Sequence, residues 1–490
     1  MRSRKYDIIV KDGMVFDGTG SPRVRGDIAI ADGKIAAMGR VDAADAAEVV
    51  DATGMHVAPG FVDLHTHYDA QIFWDPYLTL SGWHGITSVA IGNCGFGFAP
   101  VAPAQRDAAM RSMTRVEAIP YESMKQGMPW DWVTFPEYLD SVDRAPKALN
   151  ILPYVPVGPM LVEVLGLEDA KSGRVPTDDE HAQLAAMLHE SMAAGGCGWS
   201  AQRLPPSGPA AVQRDWDGTP MPTDMMSDET CRVFAQVLAE RNEGVQQLTL
   251  TTDDIKHDLA HLEEIAALSG RPLLHNVVQA FEDKPHIHRN AIDWLERCRE
   301  RGIPVYGQGV TTDAGFTFTF EDWNLYDDSE AWMEATTGTS EERLHKLGDP
   351  DRRQALKDNR PYVATASIES VTVLSPRSPG TEQYREMSVQ QGAEETGKDP
   401  VDTMLDIAVA DRLRTLFYAA NRRPGRSGGL RPGESDCRPN EVVEDLPGGE
   451  WRRVQKASGY QAVVVNGVRT IENDNQTGNH SGRLLRHGKG

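Results

Sequence analysis

The middle of this chain alternates, and that alternation limits the folds open to it. Apolar runs of strand length recur at 57–64, 87–93, 150–157, 196–200, 245–250, 272–278 and 304–310. Stretches with helical patterning lie between them, such as Asp178 to Ala194, Ile255 to Leu268, Phe135 to Ala145 and Ala291 to Arg301. Parallel strands need long crossovers, and helices supply them, so the pattern predicts βα units. Seven strands in order predict an α/β fold, a (β/α)8 barrel of the TIM type with its eighth strand missing. A doubly wound sheet is the alternative, but no phosphate-binding glycine fingerprint follows the first strand. The 490 residues suit one large barrel and a smaller domain.

Both ends read differently. Asp7-Ile8-Ile9-Val10 runs into Lys11-Asp12-Gly13, and Asp27 to Ala31 runs into Asp32-Gly33. Near the other end, Tyr460 to Val465 runs into Asn466-Gly467. Asp-Gly and Asn-Gly between apolar runs are hairpin signals. Each half alone would leave an exposed strand edge. The expectation is a composite β-sandwich from residues 1–58 and 440–490, a barrel over 59–425 and an irregular linker over 426–439.

Charge and cysteine usage exclude several functions. A net charge of -22 opposes nucleic acid and anionic membrane surfaces, both of which call for clustered Lys and Arg. No apolar run approaches the ~18 residues of a membrane span. The basic start Met1-Arg2-Ser3-Arg4-Lys5 precedes a segment too short and too charged for a signal peptide, so a cytoplasmic protein is expected. The five cysteines (Cys94, Cys197, Cys231, Cys298 and Cys437) are odd in number and scattered, which fits no disulfide framework. The sequons at Asn475 and Asn479 are accordingly expected to stay bare.

The first apolar strand ends in Ala58-Pro59-Gly60-Phe61-Val62-Asp63-Leu64-His65-Thr66-His67. Residues i and i+2 of a strand share a face, so His65 and His67 point the same way. At the C-terminal end of a barrel strand that face is the catalytic one. Two imidazoles there can ligate a borderline ion such as Zn2+.

With this string the chain resembles the amidohydrolase superfamily. Gly85-Ile86-Thr87-Ser88-Val89-Ala90-Ile91-Gly92-Asn93-Cys94-Gly95 narrows the resemblance to the N-acyl-D-amino-acid deacylase (D-aminoacylase) branch. Gly195 to Ser200, Gly397 to Asp406 and Asp445 through Gly467 are similar to further segments of that branch. The resemblance implies that Cys94 is a metal ligand beside His65 and His67. A histidine on the sixth strand, here His275, is the weaker fourth candidate.

Two departures stand out. The branch carries a histidine at the end of its fifth strand, where this chain has Thr251-Thr252-Asp253-Asp254. His257 and His261 follow one turn apart, as on an exposed helix face, and His286 and His288 read as a solvated loop. The branch also ends its eighth strand in an aspartate that binds metal and takes a proton from water. Here Thr415 to Asn421 leads into a segment rich in Gly, Pro and Arg over 422–433, and Ser435-Asp436 has no strand before it. No catalytic base is assigned.

The implied activity is metal-dependent hydrolysis of a linear amide in an N-acyl amino acid or related small molecule. A cyclic amidase or imidase on the same scaffold, or a catalytically silent relative, are the alternatives. A barrel left open at one strand is expected to be weakly stable or to form a homo-oligomer that covers the gap.

Overall fold

The computed structural model describes residues 4–208, 211–280, 284–310, 315–322, 326–361, 367–420 and 436–488. Tyr6–Val15, Val24–Ala31, Lys34–Gly39 and Ala46–Asp51 build one sheet, with His56–Val57 added beside the first strand. Asp32 and Gly33 form the expected two-residue turn, with φ of 51° and 74°. Asp12-Gly13 does not turn the chain. Tyr6–Val15 runs straight through it, and the pairing slips between Val10 and Gly13. Asp12 takes the left-handed conformation (φ 59°) there, and its N–H donates to Asp27 at 2.8 Å, which makes the pair a bulge.

The C-terminal hairpin Ala462–Val465 and Val468–Glu472, turning at Asn466-Gly467, uses both of its faces. Ala462 and Val464 pack on Ile8, Val15, Ile28, Ile30 and Val50 of the N-terminal sheet, whereas Val463, Val465 and Ile471 join the barrel core. Arg469 pairs with Glu48 at 2.6 Å. The two ends of the described chain thus share one small core. Asp436–Leu446 and Glu450–Ser458 form a separate hairpin. It lies against the barrel through Arg452 to Asp75 (2.9 Å) and the Ser123 hydroxyl to the Pro447 carbonyl (2.9 Å). The irregular linker expected over 426–439 therefore differs at its end, since 436–439 already belong to a strand. Its residues 426–435 lie outside those described.

The barrel strands follow chain order, all parallel. Phe61–Asp63, Ile86–Ile91 and Asn150–Pro153 make one arc. Val155–Pro156, Gly198–Arg203, Val245–Leu250, Leu273–Val278 and Val305–Gly309 make the next, separated from it only by Tyr154. Helices such as Asp178–Ala194, Asp228–Arg241 and Ile255–Ser269 cover the outside and bury Trp199, Phe234, Leu262 and Leu248 in one core. Among the described residues, no strand pairs with the outer edge of Phe61–Asp63 or of Val305–Gly309. This is a TIM-type barrel with seven parallel strands among the described residues, Asn150–Pro153 and Val155–Pro156 counting as one.

Leu416–Ala420 is not the eighth strand. It lies antiparallel between Gly315–Phe318 and Thr372–Ser375. Phe417 stacks on Phe318 at 5.5 Å within a second core that includes Tyr326, Trp332 and Met404. The span 59–425, expected as one barrel, thus holds two cores, with residues 315–420 gathered around their own. No helix among the described residues is long and apolar enough to cross a membrane.

Candidate metal centre

The first two strands converge at a turn that their side chains staple together. The Thr66 hydroxyl donates to the Ala90 carbonyl at 2.6 Å. The Asn93 amide donates to the carbonyls of Thr66 (3.2 Å) and Ala90 (3.0 Å). Gly92 is needed on two counts. Its φ is 77°, and a Cβ there would lie 2.5 Å from the Tyr154 carbonyl oxygen. Cys94 itself is left-handed (φ 57°), a costly conformation for a residue with a side chain. It is held by its own N–H donating to Gln247 Oε1 at 2.8 Å, and the next N–H, of Gly95, donates to Ser200 at 3.1 Å.

His65, His67 and Cys94 come together at this turn. One ligand atom from each lies within 4.8 Å of the others, and His65 Nε2 is 3.2 Å from Cys94 Sγ. The imidazole rings meet edge to face at 5.3 Å. Burial holds His65 down to about 4 and His67 well below its ordinary value, so both are neutral donors. Burial pushes the Cys94 thiol up, and the nearby Glu117 adds to the effect. A bound cation reverses that logic and deprotonates a coordinating thiol.

The residues fit a metal ion by a second sign. Oδ2 of Asp69, a residue only 2% exposed, is buried without a hydrogen-bond partner. An unpaired buried carboxylate oxygen is costly and calls for compensation. Two imidazoles and a thiol suit zinc or a similar borderline ion.

His275 does not join them. It follows Leu273 by two residues and so shares that residue's face, toward the helices. Its ring stands against Trp294 at 5.4 Å, and burial lowers it to about 4. The expectation that His275 ligates metal is corrected by this register. Asn276 takes the inner face instead and donates to Thr249 at 3.0 Å. On the fifth strand, where the sequence has no histidine, Gln247 and Thr249 face Cys94, with Thr249 Oγ1 3.9 Å from its sulfur. Gln308 of the seventh strand reaches His65 across the open edge.

The remaining candidates have other duties. Asp253 is exposed, and Asp254 caps the next helix by accepting from the N–H groups of Lys256 and His257. His261 is buried rather than exposed, because two helices pack there. It stacks on His257 at 6.0 Å, and His257 Nε2 contacts Asp228 at 2.8 Å. His286 and His288 stand in the first turn of helix Pro285–Glu300, not in a loop.

Two carboxylates escaped the sequence reading. Glu117 ends the helix Arg106–Glu117, and its Oε1 is 3.4 Å from His67 Nε2. Burial, followed by repulsion from Asp69, raises Glu117 to about 8, while burial raises Asp69 to about 7. The spacing of His65, His67 and Asp69 in steps of two was a signal for the latter. Nothing local marked Glu117.

An apolar cavity of about 100 Å³ adjoins the centre. Phe96, whose ring is 5.8 Å from that of His67, forms part of its wall with Val101, Met113, Val162 and Met221.

Known proteins are similar to this chain. An N-acyl-D-aspartate deacylase of Alcaligenes xylosoxydans xylosoxydans is 33% identical over 269 residues, covering 54% of this chain and 47% of the relative. The chain spans about half the length, or less, of the curated relatives it matches. A crystal structure of D-aminoacylase superposes with a TM-score of 0.62 at 18% identity, over 98% of this chain and all of that one. An N-acyl-D-glutamate deacylase from Bordetella bronchiseptica, crystallised with zinc and a phosphonate inhibitor that mimics the tetrahedral intermediate, gives 0.54 at 20% identity, over 85% and 72% of the two chains. These solved structures share the fold. Residues 48–306, just over half of the sequence, match the amidohydrolase family, and the chain belongs to it.

Proposed function

We propose that this protein is a zinc-dependent hydrolase that cleaves a linear amide in a small N-acyl amino acid. The convergence of His65, His67 and Cys94 within 4.8 Å at the catalytic end of the barrel carries the reading. Deacylase relatives such as the Alcaligenes xylosoxydans xylosoxydans protein support the substrate class. A divalent ion held by the three donors supplies a Lewis acid and makes water a better nucleophile at neutral pH.

The chain's own residues do the rest. Gln247 fixes the Cys94 backbone, so the sulfur is positioned before any ligand arrives. Thr249 and Asn276 offer neutral hydrogen-bonding groups on the inner face, suited to orienting an amide. The cavity beside Phe96 offers an apolar wall for an acyl or side-chain group and excludes water from one flank of the centre.

Purified protein supplied with zinc, assayed against N-acyl-D-amino acids and cyclic imides, tests the reading. Release of free amino acid is expected, with loss of turnover on chelation and recovery on adding zinc back. Turnover of cyclic imides alone would overturn it.

A further inference from the structure

Three donors leave a tetrahedral ion one position short, and a half-buried carboxylate stands beside the gap. Glu117 Oε1 lies 3.4 Å from His67 Nε2, yet the contact lacks hydrogen-bond geometry. By contrast, His257 Nε2 makes a true hydrogen bond to Asp228 at 2.8 Å. Two donors that share one tetrahedral ion, each ~2.0–2.2 Å from it, lie roughly 3.3 Å apart. The His67–Glu117 separation has that length.

The surroundings give Glu117 no other use. No Lys or Arg pairs with it among the described residues, and its electrostatic neighbour is another carboxylate, Asp69. Asp69 Oδ2 is itself buried without a partner, in a residue only 2% exposed. Holding a half-buried carboxylate beside a buried one is expensive unless a cation compensates them. Glu117 also terminates its helix, and an acid at that end opposes the helix dipole. The helix end is nevertheless anchored. Arg115, two residues earlier, bonds Asp327 and donates to the Thr336 carbonyl at 2.8 Å.

We propose that Glu117 is the fourth protein donor of the metal centre. The proposal rests on the reading that His65, His67 and Cys94 hold one divalent ion. It gives the centre a ligand set of two imidazoles, one thiolate and one carboxylate, the last carried by a helix rather than a barrel strand. Zinc can expand to five donors, so this shell does not exclude a substrate.

Cobalt(II) titration of the metal-free protein tests this without reference to activity. The wild type is expected to bind one cobalt, with a sulfur-to-cobalt charge-transfer band from Cys94 and strong visible bands of a four-coordinate ion. Glu117→Gln should weaken binding by at least the roughly 10–100-fold that loss of a supporting ligand contact brings. Its visible bands should change while the charge-transfer band stays. Glu117→Asp, which keeps the charge, should fall between the two. Metal-free Glu117→Gln should melt no lower than metal-free wild type, which separates loss of a donor from loss of fold. Unchanged affinity and unchanged visible bands in Glu117→Gln would sink the role of Glu117 alone. Failure of the wild type to take up cobalt would sink the metal reading and this proposal with it.

Discussion

The two sides of the barrel mouth differ in chemistry. On the side of the first two strands stand His65, His67, Cys94, Asp69 and Glu117, all titratable and all buried or half-buried. On the side of the fifth to seventh strands stand Gln247, Thr249, Asn276 and Gln308, all neutral amides or hydroxyls. On the proposed reading the first side holds a cation, while the second braces it through Gln247 and faces the substrate with Thr249 and Asn276. The difference teaches that a single ion on the first side is the economical reading. A second ion would face groups that carry no charge.

The largest test of this contrast is on the ligand side. Cys94→Ser is expected to weaken zinc affinity more than ~100-fold, beyond what loss of a supporting contact brings. Direct metal analysis after dialysis reads the result, and retention of one zinc per chain would erase the contrast. An intermediate effect is expected across the mouth. Gln247→Leu leaves the buried Cys94 N–H without its acceptor, which costs about 1–3 kcal/mol of stability. Zinc affinity should fall with it by roughly tenfold. A denaturant melt paired with zinc titration would show whether both fall together.

The smallest metal effect is expected from His275→Leu, which should leave zinc stoichiometry and affinity unchanged. Its signature lies in pH dependence instead. In the folded protein His275 is held down to about 4, below its ordinary value of 6.5. The unfolded chain then binds more protons between those values, so His275 removes stability as pH falls from about 6.5 toward 4. The leucine variant should lose less stability than wild type over that window. Lost zinc would place His275 in the centre after all, and equal acid sensitivity would show that folding does not hold its protonation down.

How much of this was legible before the structure depends on locality. His65, His67 and Cys94 sit in contiguous strings at the ends of two strands, where a period of two reads out their direction. His275 sits in Leu273-Leu274-His275, an apolar run covered on both faces, and such a run conceals which face a residue takes. Only the pairing of His275 with Leu248 and Gly307 resolves it. Glu117 was invisible for another reason. It reaches the mouth because a helix ends there, at a left-handed Ala118, and long-range packing decides where that end lies. The strand at 416–420 was readable as apolar, but not its partners, since Phe318 and Phe417 are far apart in sequence.

The turn at Cys94 draws on four distant pieces of chain, through Thr66, Gly92 to Gly95, Ser200 and Gln247. The unfolded chain therefore has no comparable pocket, and an ion that binds there binds only the assembled barrel. By mass action, free zinc at a hundred times its dissociation constant would add about 2.7 kcal/mol to folding stability. With the proposed metal centre, metal supply would thus raise the folded fraction of this protein, apart from any part it takes in catalysis.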